Sequence, residues 1–586
     1  MPVSPSTRVV RPRIGVLFDV IEDEYQSTIL RSMARTSGAA GVQLLCIAGG
    51  LLEEQSDHPS AQNFLFDLLQ PDSVQAVIAL SGALGNRVGM PAFARWAERF
   101  ARAPFVALGV PVPGMYSVSV GGRTGIREVV SHLVQAHGRR RIAFVRGPTS
   151  SVDAEERYEA YREALQEHGL ALDSRLVLDG AYHRESGSIA VKELFDARRI
   201  NVGSVDAIMA ANDYMALGVL DGLRERGLGV PGDISVTGFD DIDSSKHSAP
   251  PLTTIRQPLV ALGREGVRRA LSLLHGGKES LSHVLDAEML RRRSCGCLRV
   301  DVTGTSWQPG AQPRSFELAF MERRALIVAE LSRSAQGAFV GAGASWEERL
   351  ISALLQDLKK EADSAFLTAL DRLLTRLKLA GSDPSTCQPV LSVLRQAILF
   401  CSSGEPDVRA RAEDIFDDAR TLIANWLVEA ETSRRLEMVR YIHGFSLATS
   451  SLMVTPDLTA FRNDFVRSLG LLGISTFSVG LFTEPGRVTE HCRCIAAYDH
   501  ATRFQTPKSF PSRDFGPPEV MGPAADALIV QPLVFHGEPL GIATFALGAA
   551  DGVMYGQVRE ILSAALKGFR LAEQLRELQG KLAKDN

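Results

Sequence analysis

The chain has 586 residues, of which 45% are hydrophobic and 23% charged, as in a soluble globular protein of several domains. The net charge of −4 excludes a general attraction to nucleic acid or anionic membranes, and we expect the Arg139–Arg141 and Arg291–Arg293 triplets to be solvated. Seven cysteines argue against a disulfide framework and favour a reducing cytoplasm. No apolar stretch predicts a transmembrane helix, and residues 1–12 lack the apolar core of a secretion signal.

Residues 1–12 are rich in Pro and Ser and are predicted to be disordered. After them, short apolar strands alternate with helical segments, which predicts a doubly wound α/β layer. The predicted strands of the first half are Ile14–Phe18, Leu44–Ala48, Val74–Leu80 and Phe105–Leu108. A second half repeats the pattern with strands Ile142–Val145 and Leu176–Asp179 and helices Ala154–His168 and Ser188–Asp196.

The stretch Val205–Asp243 predicts a strand, a helix and a second strand. Asn212 and Asp213 follow the first strand, and Asp240 and Asp241 follow the second. In an open parallel sheet, the carboxyl ends of the strands face the ligand crevice. These polar side chains are therefore candidates for ligand contact.

Two phrases, AANDYMALGVLDGLRERGLGVPGDISVTGFDDI and LTTIRQP, resemble the effector-binding core of the lac-repressor family. The resemblance covers residues 13–299 and implies the α/β two-lobed type I periplasmic-binding-protein fold. It places crossing strands near Ser117–Arg123, Gly238–Asp243 and Thr254–Pro258. Such proteins normally carry an N-terminal helix-turn-helix, for which the residues before the first strand are too few and too rich in proline. We therefore expect no DNA-reading headpiece.

The resemblance also implies a ligand between the lobes, of the sugar or nucleoside type. The positions that match the family's contacts are Asp19, Tyr25, Ser81, Arg157, Asn212 and Asp240. A planar guanidinium and a carboxylate suit a hydroxyl-rich ligand, because unmet buried hydroxyls are costly. An alternative is structural: Asn212 and Asp213 cap the next helix, and Asp241 stabilises a turn.

One departure weakens the match. Gly121-Gly122 stands where the family commonly has Asp-Asn, so two polar contacts are lost. This leaves open a different ligand or a pocket that no longer binds one.

The two-lobed domain closes with RRRSCGC, which is followed by a linker at 300–314 and a strongly helical region at 315–439. Cys295 and Cys297 could be half of a metal site, but without a second pair nearby in sequence we predict a structural junction and no metal. A similar tail closes this domain in related proteins that fuse it to signalling modules. Leucines at three- and four-residue spacing predict a helical bundle.

Residues 440–556 change character. A helix at Leu458–Leu469, strands at Thr476–Phe482 and Cys492–Ala497, and the hairpin phrase LIVQPLVFHGEPLGIATFAL resemble an α+β GAF domain. His491, Cys492 and Cys494 could suggest haem or metal, but alternation in a strand separates His491 from the cysteines, and we favour a chance cluster.

Residues 557–586 predict a terminal signalling or dimerisation helix. Its apolar residues, at heptad-like spacing, are Ile561, Ala564, Leu571, Leu575, Leu578 and Leu582. A parallel dimer coil and a fraying surface helix both remain open.

Together these features predict a cytoplasmic small-molecule sensor in bacterial signal transduction, in which lobe closure is relayed to the GAF-like domain and terminal coil. It would form a homodimer, act on a separate kinase or cyclase, and need no cofactor, DNA or membrane. The alternatives are a lac-repressor-type transcription regulator that acts without its own helix-turn-helix and a scaffold that regulates a separate kinase or cyclase. No catalytic constellation indicates an enzyme.

Overall fold

Runs of four to six apolar residues form the buried parallel strands of the first half of the chain. The computed structural model describes residues 11–52, 62–70, 73–297, 315–335, 339, 342–361, 364–379, 386–454, 465, 469–470, 472–499, 502–503, 509–522, 525–548 and 552–585. The chain divides into two units, one of residues 1–299 with 443–586 and one of residues 300–442. The predicted disordered segment at 1–12 (all but its last two residues), the linker at 300–314 and most of the predicted helix Leu458–Leu469 lie outside the described residues.

The two-lobed part of the first unit contains twelve strands and ten helices within the described residues. The strands are β1 (Arg13–Phe18), β2 (Gln43–Ala48), β3 (Ala76–Ala79), β4 (Phe105–Gly109), β5 (Tyr116–Gly121), β6 (Ile142–Val145), β7 (Val177–Leu178), β8 (Ala207–Ala210), β9 (Ser235–Thr237), β10 (Thr254–Arg256), β11 (Ser282–Asp286) and β12 (Glu288–Leu290). The helices are α1 (Glu24–Ala39), α2 (Phe64–Leu68), α3 (Ser81–Leu84), α4 (Gly89–Ala97), α5 (Arg123–His137), α6 (Val152–Glu167), α7 (Arg184–Lys192), α8 (Asp213–Glu225), α9 (Asp243–Lys246) and α10 (Leu259–Leu274).

Each lobe is built on a parallel sheet. Lobe 1 has the strand order β11-β5-β4-β3-β1-β2, and lobe 2 has the order β7-β6-β8-β9. The short antiparallel pair β10-β12 lies apart from both sheets. This arrangement confirms the predicted alternation of strands and helices, although β3 is shorter than the Val74–Leu80 run because only its last residues pair with β1.

The second unit is helical, as predicted. Its helices are α11 (Phe316–Ser334), α12 (Trp346–Leu358), α13 (Ala365–Leu379), α14 (Cys387–Cys401) and α15 (Pro406–Val454), the last of which continues past residue 442. Most of the leucines that the spacing assigned to a bundle core are buried, among them Leu354, Leu370 and Leu374, while Leu355 is partly buried.

The C-terminal part of the first unit is a mostly antiparallel sheet with one long helix. Its elements are β13 (Thr476–Phe482), β14 (His491–Asp499), β15 (Thr502–Arg503), β16 (Ser509–Pro511), β17 (Ala527–Phe535), β18 (Glu538–Ala546) and α16 (Gly552–Asp585). The predicted hairpin is present as β17 and β18, which pair antiparallel. Within the described residues, none of the helices combines the length and apolar character needed to cross a bilayer.

Strand β17 pairs in parallel with β2, the edge strand of lobe 1. The register joins Ala527 to Leu44 and Val530 to Ile47, so the sheet of lobe 1 continues through β17-β18-β13-β14. Leu44 N donates to Asp526 O at 2.9 Å, at the start of the pairing. Sequence reasoning treated the two parts as separate domains, but they share one sheet.

The two parts also share one hydrophobic core. Leu45 and Ile47 of β2 belong to the same buried cluster as Leu528 and Val530 of β17. At its margin the rings of Phe64 and Phe482 meet edge to face, with centroids 5.4 Å apart. Breaking the junction would therefore expose apolar surface as well as backbone groups.

Helix α16 packs on this sheet through Tyr555, Val558, Leu562 and Leu566, which are buried. The buried face of α16 differs from the heptad-like set of apolar residues predicted above, since Ala564 is exposed. The reason is that the first turns pack against β17 and not against a partner helix. Farther along, Leu571 and Leu575 are 49% and 59% exposed.

The first residue of α16 touches the loop that follows β1. A Cβ atom on Gly552 would lie 1.7 Å from the carbonyl oxygen of Ile21, a distance that no relaxed structure tolerates. Two turns later, Arg559 lies 3.7 Å from Glu22 in an ion pair. Only glycine at position 552 permits this approach.

We predict that Gly552→Ala lowers the free energy of unfolding by about 1–3 kcal/mol, because the added methyl group must displace the loop or the helix. The matched control is Gly568→Ala on the same helix, where a Cβ atom meets nothing within 4 Å. That variant should be neutral or up to about 1 kcal/mol more stable, since alanine is the better helix former. Urea titration of both variants checks this, and equal stabilities would contradict the close contact.

Candidate functional site

Arg157 lies on α6 with its guanidinium buried. Its Nη1 donates to the carbonyl of Ala211 at 2.6 Å, and its Nη2 lies 3.7 Å from a carboxylate oxygen of Asp153. Its Cζ lies 3.8 Å from the centroid of the Phe239 ring, in a cation–π contact. Burial lowers the pKa of Arg157, but coulombic interactions with Tyr182, Asp153 and Asp240 outweigh this effect, and the pKa of Arg157 is raised. The residue therefore remains a fixed cation.

Asp240 faces the same place from the segment after β9. Its φ of +125° is strained for a residue with a side chain, and such strain concentrates at functional sites. Its Oδ1 accepts from Gln257 Nε2 at 2.6 Å, and the Tyr25 hydroxyl donates to Gln257 Oε1 at 3.5 Å. Burial raises the pKa of Asp240 to about 6, although Arg157 acts in the opposite direction. These contacts join Tyr25 of lobe 1 to Asp240.

Asp19 and Asp23 add two buried carboxyls from the loop after β1. Burial raises the pKa of Asp19 to about 6 and that of Asp23 to about 7. Asp23 caps α1, where its Oδ1 accepts from the backbone N–H of Gln26 at 2.6 Å. Within the described residues, Oδ1 of Asp19 is buried without a hydrogen-bond partner. This free acceptor suits a hydroxyl donor.

Asn212 and Asp241 have the structural roles that the sequence left open. Asn212 caps α8, since its Oδ1 accepts from Met215 N at 2.9 Å and its Nδ2 donates to Tyr182 O at 3.0 Å. Asp241 accepts from Arg256 Nε at 2.8 Å. One amide proton of Asn212 is left for a ligand.

Ser81 lies at the end of β3, fully buried. Its hydroxyl approaches the carbonyl oxygens of Leu108 at 2.9 Å and Val110 at 2.6 Å. Because a hydroxyl has a single proton, this donor is already engaged by the backbone of lobe 1. Ser81 could offer a ligand only its lone pairs.

The two lobes touch each other beside this cluster. Glu24 N of α1 donates to the hydroxyl of Tyr214 on α8 at 2.8 Å. Ser244 N of α9 donates to the Glu24 carboxylate at 2.9 Å, and the Ser244 hydroxyl donates to it as well. The lobes are therefore closed, with Asp19, Tyr25, Arg157 and Asp240 gathered between them.

The Gly121-Gly122 departure has a structural consequence. A Cβ atom on Gly122 would lie 3.1 Å from Phe239 Cζ and 4.0 Å from Arg157 Cγ. The ring that covers the Arg157 guanidinium thus occupies the space that a side chain would need. The glycine allows the aromatic ring to approach this wall of the cleft.

Sequence reasoning missed three side chains of this cluster. Gln257 lies inside LTTIRQP and Phe239 directly precedes Asp240, so both could have been found from the motifs. Tyr182, whose ring centroid is 5.9 Å from Arg157 Cζ, has no local signal. It reaches the cleft because its backbone has a φ of +65°.

Residues 130–295 match a family model described as a periplasmic binding protein-like domain. The relatives include the HTH-type transcriptional regulator CelR of Thermobifida fusca, 37% identical over 32% of this chain and 54% of CelR. The HTH-type transcriptional regulator AscG of Escherichia coli (strain K12) is 34% identical over 28% of this chain and 48% of AscG. The crystal structure of the Escherichia coli repressor ascG superposes with a TM-score of 0.39 and 27% identity, covering 48% of this chain and 98% of that one.

The chain thus spans about half the length of the curated relatives it matches. The match identifies residues 130–295 as a periplasmic-binding-protein-like domain, which supports the predicted type I α/β fold for this part of the chain. The relatives are named as transcriptional regulators.

We predict that Asp19→Asn stabilises the unliganded protein at pH 8 by about 1–3 kcal/mol, from a pKa displaced by about two units. A carboxyl with a raised folded pKa contributes most below its unfolded pKa of about 4 and loses this contribution as the pH rises through about 6. The gain should therefore fall to roughly a third of this value at pH 4.5. Thermal unfolding at both pH values is the measurement.

The control is Asp67→Asn, whose carboxyl is 70% exposed in an ion pair with Arg99. It should change stability little at either pH. An Asp19→Asn effect that is the same at pH 4.5 and pH 8 would mean that the buried charge is not its origin.

Proposed function

We propose that this protein is a cytoplasmic small-molecule sensor that binds a sugar- or nucleoside-like ligand between two lobes and relays closure to its C-terminal part. The observation that carries the proposal is the loop between β1 and α1. Asp19 and Asp23 of this loop belong to the buried cleft cluster, while Ile21 and Glu22 contact α16. A ligand that moves this loop therefore also acts on the terminal helix.

The charges of the cleft favour a ligand without negative charge. Desolvation raises the pKa values of four carboxyls, those of Asp19, Asp23, Asp153 and Asp240. Asp153 and Asp240 also interact electrostatically with the Arg157 guanidinium. Carboxylates accept hydroxyl protons and a guanidinium donates to hydroxyl oxygens, which suits a polyol. Tyr25, Arg157 and Asp240 are the side chains that we assign to ligand contact, with Asp19 as a free acceptor.

The C-terminal part is proposed to be the GAF-like output stage. The antiparallel order β17-β18-β13-β14 with a following long helix supports this interpretation. The exposed Leu571 and Leu575 of α16 support a homodimer coil beyond the sheet. A separate kinase or diguanylate cyclase is then the candidate partner.

The names of the relatives favour a second candidate, a transcription regulator of the lac-repressor type. A scaffold that regulates a separate kinase remains the third candidate, and it differs from the sensor only in whether ligand changes its affinity for the partner.

Phosphate contacts make the affinity of a protein for DNA fall steeply with salt, so duplex binding at moderate ionic strength distinguishes the regulator from the sensor. We expect no such binding by the full chain with or without ligand, as measured by fluorescence anisotropy. Salt-dependent binding that ligand abolishes would establish the regulator instead.

We predict that a sugar or nucleoside in a broad panel raises the melting temperature of the full chain, because closure is favoured only by ligands with a higher affinity for the closed state. Arg157→Lys should weaken this ligand at least about tenfold, since lysine keeps the charge but loses the planar fork over Phe239. Calorimetry gives the affinities.

The matched control is Arg162→Lys on the same helix, whose side chain is 46% exposed and pairs with Glu159. It should bind the ligand like the parent protein. The ligand should also raise the hydrogen-exchange protection of the first turns of α16. If no compound in the panel changes stability while a nucleotide binds the C-terminal sheet, the sensory role belongs to that sheet.

A further inference from the structure

Four side chains of metal-ligand type meet at the end of lobe 2, away from the cleft residues described above. His132 and His137 lie on α5, and Cys295 and Cys297 lie in the tail that closes the two-lobed part. Their ligand atoms all lie within 4.8 Å of one another. The second pair that the sequence lacked near the cysteines is therefore supplied by a helix that is distant in sequence.

The distances within this cluster fit a single bound ion. The Nε2 atoms of His132 and His137 are 3.1 Å apart. Sγ of Cys297 lies 3.3 Å from His132 Nε2 and 3.5 Å from His137 Nε2, and Sγ of Cys295 lies 3.5 Å from His132 Nε2. A tetrahedron with Zn–S bonds of about 2.3 Å and Zn–N bonds of about 2.0–2.1 Å has edges of about 3.3–3.8 Å. Four of the six separations, 3.1–3.5 Å, approach these edges, and the other two are at most 4.8 Å.

The backbone of the tail is shaped to direct both thiols to the same place. Gly296 has a φ of +114°, and a Cβ atom there would lie 3.0 Å from His137 Nδ1. The flanking residue Ser294 is anchored, because its hydroxyl donates to Val236 O at 2.6 Å and accepts from Thr253 N at 2.7 Å. The C-x-C turn is thus held against α5 by contacts that do not involve the sulfur atoms.

An open groove beside α5 gives an ion access to this cluster. His132 lines the groove, whose volume is about 640 Å³.

We propose that His132, His137, Cys295 and Cys297 bind one Zn²⁺ as a Cys₂His₂ site. Two thiol protons pass to solvent on binding, and the two thiolates balance the charge of the ion. Since the protein supplies four ligands, no coordination position is left for a substrate, which is the arrangement of a structural site.

This site fixes the point where the chain leaves the two-lobed part. Cys297 is the last described residue before the predicted linker. Helix α5 begins directly after Gly122, where a Cβ atom would lie 3.1 Å from Cζ of Phe239 in the cleft wall. The ion would thus join the exit of the domain to the helix that starts at the cleft.

The test is metal analysis of the full chain purified without chelators and dialysed against zinc. We expect one zinc per chain, and with Co²⁺ a thiolate charge-transfer band and the intense visible absorption of tetrahedral cobalt. Cys297→Ser and His137→Gln should lose the zinc and lower the melting temperature. Circular dichroism verifies that each variant is folded.

The matched controls are Cys401→Ala, a free cysteine of the second unit, and His168→Gln, a histidine that contacts Ser131 near α5. Both should keep one zinc per chain. Wild-type protein without zinc, a Co²⁺ spectrum without thiolate bands, or a Cys295–Cys297 disulfide in freshly prepared reduced protein would each overturn the proposal. Because these readouts need no cleft ligand, they are independent of the sensor function.

Discussion

The pairing of β17 with β2 is the interaction on which the first unit depends. An unpaired edge strand of a parallel sheet exposes a row of N–H and C=O groups that other chains can bind. Here the edge of lobe 1 is covered by a strand of the same chain, and the two parts bury one core around Ile47 and Val530. Lobe 1 and the C-terminal sheet are therefore joined by backbone pairing and by a common core, whereas lobe 2 has a sheet of its own.

This arrangement makes the loop after β1 a shared element. The backbone of this loop packs against Gly552, and the carboxyls of the loop, among them that of Asp19, lie between the lobes, where burial raises the pKa of Asp19. Buried carboxyls without enough partners are costly, and such cost is typical of sites that a ligand completes. The closed lobes are thus well packed outside the cleft, while some polar atoms inside the cleft lack hydrogen-bond partners among the described residues.

Much of the fold was predictable because its signals are local. Apolar runs gave the strands of both lobes. The LTTIRQP phrase contains Gln257, which donates to Asp240, although sequence reasoning did not single it out. The predicted cleft residues Arg157, Asp240 and Tyr25 lie together, whereas the Ser81 hydroxyl is engaged by backbone carbonyls. That outcome depends on how β4 ends beside β3, which no pattern around Ser81 encodes.

Other features could not be predicted because they join segments distant in sequence. Nothing local to Leu44 or Ala527 indicates that they pair. The spacing of His132 and His137 is ordinary for a helix, and it gains meaning only when the C-x-C turn lies against it. Likewise, periodicity in α16 showed an apolar face but not whether a sheet or another helix covers it.

The direction of β17 has one more consequence. Because β17 runs parallel to β2, its carboxyl end points the same way as those of β1 and β3, from which the cleft loops emerge. The β17–β18 turn therefore lies on the rim from which the cleft loops emerge, where Glu538 forms an ion pair with Lys567 of α16. The start of α16 lies at the other end of β18, where the Tyr555 hydroxyl donates to Ala546 O. Helix α16 thus spans the sheet from Gly552, which lies against Ile21, to the β17–β18 turn about four helical turns later.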